Sequence, residues 1–177
     1  MSLFWINGGK MIKSKGWDWK IVKDDIDCPW KIPSVESYYL LNRWENLNFK
    51  NFLDLGCGLG RHTVLFAENG FNVSGFDISK EGIRKTKEWL KNLDLKADLK
   101  VGDMLELPYE NESFDCILCR NVISHQDTEG VKQIIKDTYS SKNDEDVKRM
   151  IYNSMSEYES IKNLSDEQID IVNKCIE

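Results

Sequence analysis

No apolar run in the 177-residue sequence approaches the roughly 20 residues that a membrane-spanning helix needs, so a spanning helix is excluded at the outset. The opening residues carry no signal-peptide pattern. The 5 cysteines are odd in number and irregularly spaced, which does not suit a disulfide framework and leads to the expectation of a reducing, cytoplasmic compartment. Histidine is scarce, with 2 in the chain, and no Cys/His cluster has the spacing of metal ligands. Cys116 and Cys119 spell CxxC, but an offset of three along FDCILC sends strand side chains to opposite faces, so no metal is expected there. Positive charge is also short: 24 lysines and arginines against 30 acidic residues give a net charge of −6, without the basic footprint that a nucleic-acid partner requires. A small neutral or cationic partner is easier to accommodate. The GxxxxGK[ST] pattern is missing, which excludes a phosphate-cradling P-loop.

What is present reads as one soluble domain with a sizeable core, at 41% hydrophobic and 31% charged residues. Its densest signal is NFLDLGCGLGRHTVLFAENGFNVSGFDIS, residues 51–79: an apolar strand, a glycine-rich turn, a helix, a second strand and a closing aspartate. That order is the layout of a nucleotide-type cofactor site. Gly56, Gly58 and Gly60 can take positive φ and let a ligand press on the main chain, while the helix starting near Arg61 presents N–H groups at its positive end. A polar or anionic ligand group is therefore expected over the turn. Asp77 ends the second strand, where an acid can accept hydrogen bonds from a ribose diol. The glycine pattern is GxGxG and not the GxGxxG of a dinucleotide site, which weakens a nicotinamide oxidoreductase reading.

With these residues in view, the chain resembles the class I S-adenosylmethionine-dependent methyltransferases, whose first motif is similar to the acidic-x-GxGxG of residues 54–60. Asp77, followed by Ile78, falls where that family places its ribose-binding acid. VGDMLELPYENESFDCIL, residues 101–118, resembles the family's adenine-binding turn and following strand, which implies that Asp103 and Met104 hold the adenine. RNVISH, residues 120–125, resembles the segment after the fourth strand that faces cofactor and substrate, and brings in Arg120 and His125. The resemblance covers residues 36–139 and implies S-adenosyl-L-methionine as cofactor, S-adenosyl-L-homocysteine as product and a small-molecule methyl acceptor.

The expected architecture is a Rossmann-like α/β fold of three layers, α/β/α. Strands near 51–55, 71–76, 98–101 and 114–119 alternate with helices near 61–69 and 80–92, a pattern that makes a parallel sheet. The resemblance implies strand order 3-2-1-4. Residues 34–48 read as a preceding helix with Tyr38, Leu41 and Trp44 on its buried face. Residues 1–35 form a separate segment, which the resemblance implies as an active-site cover, so that Trp5, Trp17, Trp19 and Trp30 either wall the acceptor pocket or simply pack against the domain. The tail departs from the family. After a helix near 129–139, residues 140–177 contain no glycine or proline. Val147, Met150, Ile151, Met155 and Tyr158 recur at helical spacing, and Ser165 with Gln168 forms a capping box. Helices are expected there in place of the family's strands 5–7. The fourth strand, with Phe114, Ile117 and Leu118, then becomes an apolar edge, to be covered by the terminal helices, paired in a homodimer, or left to a partner that a shortened chain needs, with helical covering the expectation.

The chemistry needs little from the protein beyond orientation and exclusion of water, since a sulfonium already carries a good leaving group. An acceptor that must lose a proton benefits from one base, and His125 is the candidate, with a structural role as its alternative. By resemblance, Asp54 engages the methionine part of the cofactor, against a turn-stabilising role. Arg61 either approaches a carboxylate or is solvated, and His62 packs or caps near the ligand. The leading reading is a methyltransferase acting on a small molecule. Its alternative is a noncatalytic or partner-dependent cofactor-binding protein.

Overall fold

Residues 52–55, Phe-Leu-Asp-Leu, are buried without alternation, the mark of a strand covered on both faces in a parallel sheet. In the computed structural model, which describes residues 3–5, 11–13, 16–22, 28–110 and 112–122, they lie in an inner strand of the main sheet. Two short strands, β1 (Leu3–Trp5) and β2 (Met11–Lys13), come first and pair antiparallel. A 3-10 turn at Pro29–Lys31 leads into α1 (Val35–Asn46). There follow β3 (Asn51–Leu55), α2 (Arg61–Glu68), β4 (Asn72–Asp77), α3 (Lys80–Asn92), β5 (Asp98–Val101) and β6 (Cys116–Leu118).

The main sheet has the order β5-β4-β3-β6, and every pairing in it is parallel. Counted from β3, that is the expected 3-2-1-4 of a Rossmann-like α/β fold. Parallel neighbours need crossovers, and α2 and α3 supply them between β3, β4 and β5. The carboxyl ends of β3 and β4 thereby lie side by side, with Leu55 opposite Phe76. This edge is where open α/β sheets place ligands.

The core is strongly aromatic. Phe66 of α2 lies with its ring centroid 4.0 Å from Phe52 of β3, 5.4 Å from Trp44 of α1 and 5.2 Å from Phe71, in stacked, tilted and edge arrangements that suit ring quadrupoles. At the other end of the sheet, Tyr109 meets Phe76 and Phe114 edge-on. The amino ends of β3 and β6 are tied by Asp115, whose Oδ2 accepts from the N–H groups of Lys50 at 2.9 Å and Asn51 at 2.8 Å.

Three expectations change. Tyr38 does not join the buried face of α1: it is 51% exposed, and Ser37, Leu40, Leu41 and Trp44 are buried instead. An amphipathic tyrosine tolerates either side of a helix, so spacing alone does not fix the face. The first 35 residues also contain the β1–β2 pair, which the sequence did not announce. Strand β6 is shorter than residues 114–119, with Phe114 ahead of it at the margin of the core. Among the described residues β6 is one edge of the sheet and β5 the other. The helices expected over 129–139 and 140–177 lie outside the described residues. No helix among the described residues is long and apolar enough to cross a membrane.

Candidate functional site

The turn after β3 holds all three glycines at positive φ, at 79° for Gly56, 55° for Gly58 and 85° for Gly60. A side chain at any of these positions is disfavoured by local sterics, which explains the GxGxG spelling. The turn is stitched to the neighbouring strand: Gly56 N–H and Cys57 N–H both donate to Phe76 O, at 2.7 and 3.1 Å. Gly60 N–H donates to Cys57 O at 2.8 Å, and Gly58 N–H donates to Asp77 Oδ2 at 2.8 Å. Thr63 N–H, in the first turn of α2, donates to Asp54 Oδ2 at 2.9 Å. The expectation of open N–H groups is thus corrected at Gly56, Cys57, Gly58, Gly60 and Thr63, whose donors the protein's own carbonyls and carboxylates already use.

Asp54 and Asp77 face this turn from the ends of β3 and β4, and both are buried. Asp54 Oδ2 also accepts from the Thr63 hydroxyl at 2.7 Å. Burial nevertheless pushes its carboxyl up from the ordinary 3.8 to about 6, against the lowering effect of the Thr63 bonds and Arg61. Asp77 uses both oxygens, Oδ2 toward Gly58 and Oδ1 toward Ser79 N–H at 2.7 Å, and burial raises its pKa despite them. Two buried acids that ionise reluctantly would each be relieved by a cation seated nearby. The Cys57 thiol between them is also pushed up by burial, so it is an inert side chain and no nucleophile at neutral pH.

Asp103 reaches the same edge because Gly102 N–H donates to Asp77 O at 3.0 Å, which fixes the start of the next turn beside Asp77. Asp103 is buried, and its Oδ1 accepts from Leu105 N–H at 3.1 Å. Met104 is buried within the hydrophobic core cluster. Ile78 follows Asp77 and is half-buried. Arg120, after β6, forms an ion pair with Glu36 of α1 at 3.3 Å. Asp54, Gly56, Gly58, Gly60, Asp77, Ile78 and Asp103 are therefore brought together at the carboxyl ends of β3, β4 and β5, with Arg120 beyond β6 beside α1. His125 lies outside the described residues.

His62 is buried and neutral: burial, then the charges of Arg61 and Arg120, hold its pKa well below 6.5. Its Nε2 accepts from Ser34 N–H at 3.4 Å, tying α2 to the start of α1. Arg61 donates from Nη1 to Ile32 O at 3.2 Å and lies over the Trp30 ring at 5.9 Å, so it is engaged by the segment preceding α1. Sequence reasoning missed Thr63, whose only cue is its place in the first turn of α2, and Ser79, whose Oγ caps α3 by accepting from Gly82 N–H at 3.2 Å. It also missed where Trp19 falls. A Cβ built on Gly58 would lie 2.5 Å from Trp19 Cζ2, so the indole sits against the middle glycine of the turn. No group of three or more His, Cys, Asp or Glu side chains among the described residues could hold a metal ion.

Residues 52–142 match the sequence model of the methyltransferase domain family. Norajmaline N-methyltransferase of Rauvolfia serpentina is 38% identical over 84 residues, 45% of this chain and 29% of that protein. Ubiquinone biosynthesis O-methyltransferase of Rickettsia typhi is 32% identical over 110 residues, 59% of this chain and 43% of that protein. The matched region thus spans less than half the length of either relative. Among solved structures, the PH0226 protein from Pyrococcus horikoshii OT3 superposes with a TM-score of 0.51 at 30% identity, covering 61% of this chain and 54% of that one.

Proposed function

This chain belongs to the methyltransferase domain family, and from that premise we propose that it binds S-adenosyl-L-methionine and directs its methyl group in line to a small-molecule acceptor. The observation that carries the proposal is the electrostatic character of the turn. The N–H groups of Gly56, Cys57, Gly58 and Gly60 donate to Phe76 O, Asp77 and Cys57 O, Thr63 N–H of α2 donates to Asp54, and the two carboxylates are buried beside the turn. Such a turn suits a nucleoside with a positive centre and disfavours a phosphate, which would need those same donors and would meet two acids.

When bound, S-adenosylmethionine supplies a methyl group activated by its sulfonium. The residues of this chain bind and orient. Asp77 accepts from the ribose hydroxyls through the lone pairs that Gly58 and Ser79 leave unused. Asp103 accepts from the adenine amino group, with Ile78 and Met104 against the ring. Asp54 contributes a counter-charge beneath the turn. Arg120, paired with Glu36, is a further cofactor-binding residue beyond β6, and His125 is the group to take a proton from an acceptor that must lose one. Two relatives named for norajmaline N-methylation and for O-methylation in ubiquinone biosynthesis support a small-molecule acceptor. The acidic balance of −6 supports the same class over nucleic acid.

Calorimetry with S-adenosylmethionine, S-adenosylhomocysteine and NAD⁺, followed by transfer of labelled methyl to a panel of amines, phenols and thiols, tests the proposal. Micromolar binding of the first two, with labelled product, is the expected result. Binding of NAD⁺ alone, or of none of the three by folded protein, would overturn it.

A pH dependence follows from Asp54. Its folded pKa of about 6 lies above the ordinary 3.8, so the folded state takes up a proton between those values and loses stability as pH rises through them. A bound cation favours the ionised carboxylate and shifts that balance. Affinity for S-adenosylmethionine is therefore expected to fall about tenfold between pH 6.5 and pH 5, and affinity for uncharged-sulfur S-adenosylhomocysteine to fall less. Asp54→Asn should flatten the difference. Unchanged affinity for S-adenosylmethionine between pH 6.5 and pH 5 in the unaltered protein would contradict the counter-charge role.

A further inference from the structure

Residues 16–22 lie against the cofactor turn. Trp19 bridges the middle glycine and the first turn of α3: a Cβ on Gly58 would meet its Cζ2 at 2.5 Å, and a Cβ on Gly82 its Cδ1 at 3.0 Å. Gly16 is likewise pressed on Ile78, with 2.6 Å from its Cβ position to Cγ2. Ile78 follows Asp77, and Gly58 N–H is the group that Asp77 holds. The segment therefore covers the residues on both sides of the candidate ribose acid. It touches them at three glycines where a single methyl group would push it away.

One side chain fixes the segment in place. Lys85 of α3, three residues beyond Gly82, donates from Nζ to Trp19 O at 3.1 Å and to Val22 O at 3.0 Å. A single ammonium thus closes a turn whose own ties are weak, Ile21 N–H to Asp18 O at 3.4 Å and Lys20 N–H to Asp18 Oδ1 at 3.1 Å. On its outer side Trp19 is backed edge-on by Trp30 at 5.7 Å, and both rings meet Trp17, which is 45% exposed. Nothing in the sheet or its crossovers requires this arrangement. Its described contacts are with the turn, with Ile78, with α3 and with Trp30.

We propose that residues 16–22 are a strap that completes the cofactor site, in which Trp19 is the wall over the middle glycine and Lys85 is the positioning residue that holds the wall closed and sets how long the cofactor stays. The proposal rests on the methyltransferase reading of the site and assigns to this chain what that reading leaves open: which residues shut it. Charge-assisted bonds from an ammonium to two carbonyls are strong enough to bias such a strap toward closure, yet few enough for it to open. Loss of the ammonium should act on cofactor release much more than on the stability of the sheet.

The test uses the full chain, with S-adenosylhomocysteine as ligand and tryptophan emission as the signal. Dissociation is timed by stopped-flow displacement for the unaltered protein, Lys85→Met, Lys85→Arg and Trp19→Leu, and amide exchange of residues 19–22 is followed without ligand. Lys85→Met is expected to speed release about tenfold and to raise exchange in the strap, with thermal midpoint little changed. Lys85→Arg, which keeps the charge and two donors, should restore most of both. Trp19→Leu should also speed release while leaving the Lys85 bonds in place. Unchanged release and exchange in Lys85→Met, or unchanged release in Trp19→Leu, would overturn the strap while the methyltransferase reading stands. Failure of the folded, unaltered protein to bind S-adenosylhomocysteine would overturn that reading and the strap with it.

Discussion

Asp77→Ala is expected to weaken S-adenosylhomocysteine binding by about 100-fold or more, the largest loss foreseen for any single change in the site. Two contributions add. Bonds from a ribose diol to an ionised carboxylate are each worth about 1.5–3 kcal/mol, and alanine removes both. The same carboxylate also holds Gly58 N–H at 2.8 Å and Ser79 N–H at 2.7 Å, so the turn and the start of α3 lose their common anchor. Asp77→Asn separates the two effects. An amide keeps one oxygen acceptor but turns its NH2 toward a backbone donor, so it should lose affinity nearly as severely while holding the turn better. Because burial raises the pKa of Asp77, the ligand-free protein gains some relief when the charge is removed, and its thermal midpoint should change little. Calorimetry beside a melting curve distinguishes these effects. A loss of less than about fivefold in Asp77→Ala would place the ribose elsewhere.

Phe66→Ala is expected to destabilise the fold by about 3–5 kcal/mol, a large share of the stability of a domain this size. Phe66 has 0% exposure and its ring contacts Trp44, Phe52 and Phe71, so its removal opens a cavity bounded by three other large residues. Rigid rings from α1, β3 and the turn before β4 cannot all move inward, and the void should persist. Function would suffer as well, since α2 also carries Thr63, which holds Asp54. Urea titration of the two proteins measures the effect through a shift in midpoint at constant slope. A cost under about 1.5 kcal/mol would mean that the cluster repacks.

How much of this could be read in the sequence depended on whether the deciding contact was local. Gly56, Gly58 and Gly60 were legible because positive φ is a property of the residue itself, and Asp77 because it closes a strand whose partner ends at the turn. The order of β5, β4, β3 and β6 followed from alternation together with family resemblance. The face of α1 was misjudged by one position, Tyr38 for Ser37, because a serine whose hydroxyl donates to Ser34 O at 2.6 Å can be buried where spacing alone favours the tyrosine. The fate of the turn's N–H groups was not legible at all. Their acceptors, Phe76 O and Asp77, are brought beside them only by the pairing of β3 with β4. The tryptophans of the first segment were visible as a group, but no periodicity shows that Trp19 falls on Gly58.

The tie between Asp115 and Asn51 joins residues 64 positions apart and brings β6 against β3. The pairs of β3 with β4 and β4 with β5 close shorter loops, each bridged by a single helix. Closure entropy grows with loop length, so the shorter crossovers should assemble first and β6 should dock last. During synthesis, one side of the central strand then waits unpaired until residues near 118 have left the ribosome. Over that interval Phe52 and Leu53 present an apolar parallel edge with no neighbour, the form most open to pairing with another nascent chain. The acid at position 115 holds the Lys50 and Asn51 amides immediately ahead of the three paired residues of β6, so it is placed to set the register of that strand and to shorten the exposure.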